Sequence, residues 1–160
     1  MSLSYSDRFP QQTLKSRRGA KNMAERTLYI SKSDMEQLLE LIDGLRSVPK
    51  ANQANLDLLE KELYRSVQVE PVDIPRDVVT MNSKVAVTDT ESGEKMSYTL
   101  VYPSAADISE NKLSILAPLG IALLGYRKGD VIEWSVPSGT KKYVIDDITY
   151  QPEASGDYHL

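Results

Sequence analysis

The chain has 160 residues, a length that suits one domain with an appendage and a core that needs no staples; with no cysteine, disulfides, thiolate chemistry and cysteine-ligated metals are excluded. No apolar run nears the ~20 residues that span a bilayer and no apolar h-region opens the chain, so a cytoplasmic protein without a membrane partner is expected. The net charge of -4 is uneven: residues 1–27 hold six Lys or Arg against two acids, a surplus of +4 that leaves -8 elsewhere, and such a body lacks the clustered cations for binding a specific DNA sequence.

Residues 1–27 are polar, basic and aperiodic, and are expected to be a disordered tail, since they bury too little to offset ordering entropy. Arg17, Arg18 and Lys21 would make it an electrostatic tether. A start at Met23, with the first 22 residues an upstream extension, is a second reading of this end. Leu28, Tyr29 and Ile30 predict a short extended segment. Ser33-Asp34-Met35-Glu36 fits a capping box, so a helix is predicted from about 34 to 46, closed by Gly44 and Val48-Pro49. Asn52 or Asn55 caps a second helix, with Asp57 in its first turn, reaching about Val69. Met35, Leu38, Ile42 and Leu45, then Leu56, Leu59 and Leu63, recur at threes and fours. That is the seam of a short antiparallel coiled-coil hairpin over 28–70. Each arm has ~14 residues, about 21 Å at 1.5 Å per residue. The turn, GLRSVPKAN, carries two cations and no acid.

Residues 71–77 hold two prolines and read as a stiff linker. A second domain, 78–160, follows. In VVTMNSKVAV, Val79, Met81, Val85 and Val87 share one face, as in a half-buried strand. Glu91-Ser92-Gly93-Glu94 supplies a turn, and Met96, Tyr98, Leu100 and Tyr102 alternate in a second strand that Pro103 stops. APLGIALLG opens with a helix-compatible proline and ends on glycine, predicting a buried helix at about 118–124. VIEWSV and KKYVIDDITY form two more strands about a PSGT turn. Asp146-Asp147 cannot both face the core and predict a bulge or an edge. The fold class is therefore α+β: a helical hairpin, then an antiparallel sheet with one packed helix.

PLGIALLGYRKGDVIEWSVPSGTKKYVIDDITY resembles the C-terminal domain of the Gre-type transcription elongation factor family. Pro118, Leu119, Ala122, Leu124, Gly125, Asp130, Pro137 and Gly139 fall on its pattern. VVTMNS, LVYP, APLGIALLG and QPEASGDYHL are similar to stretches of a Gre-related branch, and the resemblance covers roughly 27–160. It implies an FKBP-like domain joined to a short antiparallel coiled coil. The implied partner is bacterial RNA polymerase, met at the rim of its secondary channel. Carried over residue by residue, the polymerase contact falls on Ala117, Pro118 and Leu119, where the family commonly has Ser before the Pro; Leu119, Ile121 and Leu123 read equally as core.

Gre factors act through the end of the coiled coil, where two carboxylates hold a Mg²⁺ ion that activates water to cut backtracked RNA. Mg²⁺ suits such carboxylates, and a two-metal site needs its ions within about 4 Å. Here the tip residues Arg46, Ser47, Val48, Pro49 and Lys50 include no acid, nor does any position from 44 to 56. Glu40 and Asp43 lie about a turn behind. They read as a displaced metal pair or as solvated charges, one of them pairing with Arg46. Arg46 and Lys50 read as contacts to acidic groups or RNA phosphate, or as balance for the helix dipole. His159 stands next to last and Trp134 on an apolar face, so no catalytic set, metal site or cofactor is expected. The expected function is a non-enzymatic polymerase-binding regulator that competes with Gre cleavage factors. A genuine cleavage factor would need Asp43 at the metal. A prolyl isomerase would need an aromatic-lined pocket, which one Trp and scattered Tyr do not supply.

Overall fold

The computed structural model describes residues 28–157; the expected tail at 1–27 and His159 lie outside them. The described residues open with strand β1 (Tyr29–Ser31), helix α1 (Lys32–Arg46), helix α2 (Gln53–Arg65) and strand β2 (Val67–Val69). Two local expectations change. The N-cap of α1 is Ser31, whose hydroxyl accepts from Asp34 N at 3.1 Å; Ser33 already sits in the first turn. Gly44 does not end α1, which runs on to a Ser47 C-cap. Asn52 caps α2, accepting from Asn55 N at 3.1 Å.

Helix α2 stops at Arg65, four residues short of the expected end. The Ser66 hydroxyl donates to the Leu63 carbonyl at 2.6 Å, and Val67, Gln68 and Val69 then run extended. They pair in parallel with Tyr29, Ile30 and Ser31. β-Branched valines favour that state over another helical turn. The two ends of the hairpin are thus tied by a two-stranded clasp, and Lys32 reaches Glu70 at 2.8 Å across it.

After a 3-10 turn at Pro71–Asp73 come β3 (Lys84–Asp89), β4 (Lys95–Val101), β5 (Lys112–Ser114), α3 (Pro118–Leu123), β6 (Val131–Val136) and β7 (Gly139–Tyr150). They form one five-stranded sheet in the order β5-β4-β3-β7-β6. The sheet is mixed, where an antiparallel one was expected, because β5 runs parallel to β4. Three residues of a polar loop give no alternation for a reader of the sequence to see. Val79 and Met81 are buried but belong to no strand: Thr80–Ser83 is a turn with Asn82 at φ 67°, and β3 starts only at Lys84. Against β3, the register of β7 slips between Ala86↔Asp147 and Val87↔Ile145. The extra residue is Asp146, so the Asp pair does mark a bulge, with both side chains exposed.

The apolar stripe of the hairpin does more than close on itself. Leu38, Ile42, Leu56, Leu59 and Leu63 are at most 1% exposed and share one continuous cluster with Leu100, Ile115, Leu119 and Leu123 of the sheet domain. Two helices alone leave the open sides of their seam to water; full burial needs a third wall, and here the domain supplies it.

Candidate functional site

The turn between α1 and α2 is compact. Val48 N reaches Leu45 O and Ala51 N reaches Val48 O, both at 3.1 Å, while Gln53 Nε2 donates to Leu45 O at 3.2 Å. Arg46 does not pair with Glu40 or Asp43. Its guanidinium crosses to α2, meeting Asp57 at 2.8 Å and Glu60 at 2.7 Å. The reason is the helical face: Arg46 is half-buried toward α2, whereas Glu40 and Asp43 point to water. Arg46 is therefore occupied as a clamp. Lys50 is exposed, and no ion pair to it forms among the described residues. Among the described residues, no cluster of three or more acids or histidines is placed to hold a metal ion.

Residues 114–119 set the start of α3. Leu116 N bonds Ser114 Oγ at 3.0 Å and Ala117 N bonds Ser114 O at 3.0 Å, so the chain turns sharply before Pro118 takes the first helical position. Gly120 allows that turn: a Cβ there would stand 2.2 Å from Ser114 O. Of the three carried-over contact residues, Pro118 is exposed, Ala117 is half-buried and Leu119 is buried at 4% exposure. Only the Ala117-Pro118 corner faces outward.

The fold brings this corner to the hairpin tip. Asn55 Nδ2 donates to Leu116 O at 3.0 Å, across 61 positions of sequence. Beside that bond, Leu45, Val48, Ala51, Leu56 and Leu116 line a notch of about 290 Å³ with Lys50 at its edge. The sequence named both stretches but not their meeting. A side-chain amide on a distant backbone carbonyl leaves no periodic signal.

A second cluster ties the base of α1 to the domain. Asp34 is 3% exposed. Tyr102 donates its hydroxyl to Asp34 Oδ1 at 3.2 Å, and Oδ2 is buried without a hydrogen-bond partner. Nearby, Thr80 donates to Glu153 Oε1 at 2.8 Å. Burial first, then the Glu153 charge, pushes the Asp34 carboxyl up to about 7. Burial and the Asp34 charge hold the Tyr102 phenol protonated well above its ordinary range. As one member of the Ser33-Asp34-Met35-Glu36 stretch, Asp34 shows nothing in the capping pattern of its part in this joint. The signal was there, since Asp34, Leu38 and Ile42 recur every four residues on one stripe.

No helix among the described residues is long and apolar enough to cross a membrane. The model of the transcription elongation factor GreA/GreB C-terminal domain matches residues 74–150, and that of the Rnk N-terminus matches residues 26–69. The chain is 41% identical over 140 residues to the regulator of nucleoside diphosphate kinase of Escherichia coli (strain K12), covering 86% of this chain and all of that one. It is also 41% identical over 90 residues to the transcription elongation factor GreA of Clostridium botulinum (strain Eklund 17B / Type B), 56% of each chain. The solved GreA/GreB factor from Nitrosomonas europaea superposes with a TM-score of 0.66 at 44% identity, over 79% of this chain and all of that one. Matched in both its hairpin and its sheet domain, the chain belongs to the GreA/GreB/Rnk family of transcription elongation factors.

Proposed function

We propose that this chain is a cytoplasmic transcription regulator that binds bacterial RNA polymerase at the rim of the secondary channel and displaces Gre-type cleavage factors without stimulating cleavage. Family membership supports a transcription elongation role. The non-cleaving half of the reading rests on one observation: the hairpin tip holds no carboxylate. From Gly44 to Leu56 there is no Asp or Glu, and Asp57, the next acid, is tied to Arg46. Mg²⁺ is held through oxygen ligands, one or two of them carboxylates; a tip without Asp or Glu offers no such carboxylate. Glu40 and Asp43 sit behind the tip on the solvent side of α1, too far back to lead it into an active site.

In this reading the coiled-coil-like hairpin (28–70) and an FKBP-like domain (78–160), joined through 71–77, act as one body. The Ala117-Pro118 corner makes the polymerase contact, with Leu119 holding it from inside. The test is a stalled, backtracked elongation complex given the protein alone with Mg²⁺. Cleavage is expected to stay at the intrinsic rate at every protein concentration. A rise in cleavage with added protein would sink the non-cleaving reading, whatever the affinity for polymerase.

A further inference from the structure

The notch between the hairpin tip and Leu116 is the one feature of the tip that its helices do not require. Leu45, Val48, Ala51, Leu56 and Leu116 give it apolar walls, and its 290 Å³ lies at the bottom of the range for small-molecule sites. That is room enough for one apolar side chain. Its edge has a sign: Lys50 is exposed and unpaired among the described residues, while Arg46 is consumed by Asp57 and Glu60. In a body of charge -8, the tip is a local patch of free positive charge beside bare apolar wall. Val48 is 38% exposed at that wall, and Pro118 stands two residues beyond Leu116. The Asn55–Leu116 bond holds the two sides of the notch at a fixed spacing.

Building on the docking reading above, we propose that the notch receives a polymerase segment presenting one apolar side chain next to a carboxylate. The hairpin tip and the Ala117-Pro118 corner then form a single docking face. The apolar side chain fills the notch and the carboxylate meets Lys50. Lys50 acts at the rim of the contact, where a charge governs mainly the encounter rate and its salt dependence; the notch governs residence. Specificity for polymerase over other acidic surfaces comes from requiring both at once.

The experiment measures association and dissociation of the full chain with core RNA polymerase, for wild type and three variants. Thermal melts first show that each variant is folded. Lys50→Glu is expected to slow association about tenfold, with the deficit shrinking as salt rises. Ala51→Phe, which fills the notch with the chain's own ring, is expected to speed dissociation about tenfold. Lys61→Glu, an equal charge change on the exposed side of α2, should leave both rates within twofold. Wild-type binding that neither Lys50→Glu nor Ala51→Phe disturbs would overturn the notch proposal while leaving docking at Pro118 in place. An equal loss from Lys61→Glu would overturn it too, as mere net charge. No wild-type binding would overturn both.

Discussion

Asp34 carries a charge the fold does not want. One carboxylate oxygen accepts from the Tyr102 hydroxyl and the other is buried without a well-formed hydrogen bond, so the Met81 backbone and Ser31 nearby only partly offset the burial. Because its folded pKa, about 7, lies above the ordinary 3.8, the folded state keeps a proton that the unfolded chain has lost. The Asp34 contribution to stability is therefore greatest below about pH 4, declines as pH rises toward 7, and levels off above that. Asp34→Asn keeps the shape and removes the titration. At pH 8 it should gain on the order of 2–4 kcal/mol over wild type, with little difference at pH 4. Urea denaturation at the two pH values checks this, and an equal difference at both would mean that the buried charge is not the cause. Gly120 is the opposite kind of residue, one whose missing side chain is the point. Gly120→Ala would drive a Cβ into the Ser114 carbonyl, and backbone cannot swing aside. A loss of about 1–3 kcal/mol is expected, read as a lower melting temperature; an unchanged melt would mean that the 114–120 turn yields freely.

At the scale of elements, the helices and most of the sheet were legible. Leucines at threes and fours fixed α1 and α2, an Asn marked the second N-cap, and Pro118 with Gly125 bracketed α3. The paired aspartates announced the bulge in β7. What escaped reading has a common physical form. β2 looked like the end of a helix because Val67 continues the spacing of Leu59 and Leu63, and only the partner strand β1, some 38 positions earlier, draws the segment into a clasp. β5 is three residues long and defined by its parallel neighbour. Arg46 had acids available on its own helix, yet the facing helix won because Arg46 sits on the side of α1 that faces α2, whereas Glu40 and Asp43 point to water. This clamp is a partly exposed ion pair, so its worth is modest. Arg46→Met should lower the melting temperature only slightly and speed amide exchange over 44–60 while leaving β3 and β4 unaffected. Equal exchange throughout would show that the turn does not depend on the clamp.

For the whole molecule, the distinction between finger and domain matters less than composition implied. The sequence separates a hairpin from a sheet by a proline-bearing stretch, and reading it alone invites a picture of a free arm. The packed structure joins the two through one apolar cluster, through Asp34 and Tyr102 at the base and through Asn55 and Leu116 near the tip. The two hydrogen bonds span 68 and 61 positions, which is why no local pattern discloses them. Function inherits the same division. The absence of acid at the tip could be read directly; that the tip lies beside Leu116 and the Ala117-Pro118 corner could not. The most direct measurement is transcript cleavage in a backtracked polymerase complex, with a limiting Gre factor and this protein titrated in. Cleavage should fall steadily toward the intrinsic rate as the protein takes the shared site. Cleavage that holds constant, at concentrations where polymerase binding is saturated, would contradict competition at the channel and leave the family likeness as a matter of fold.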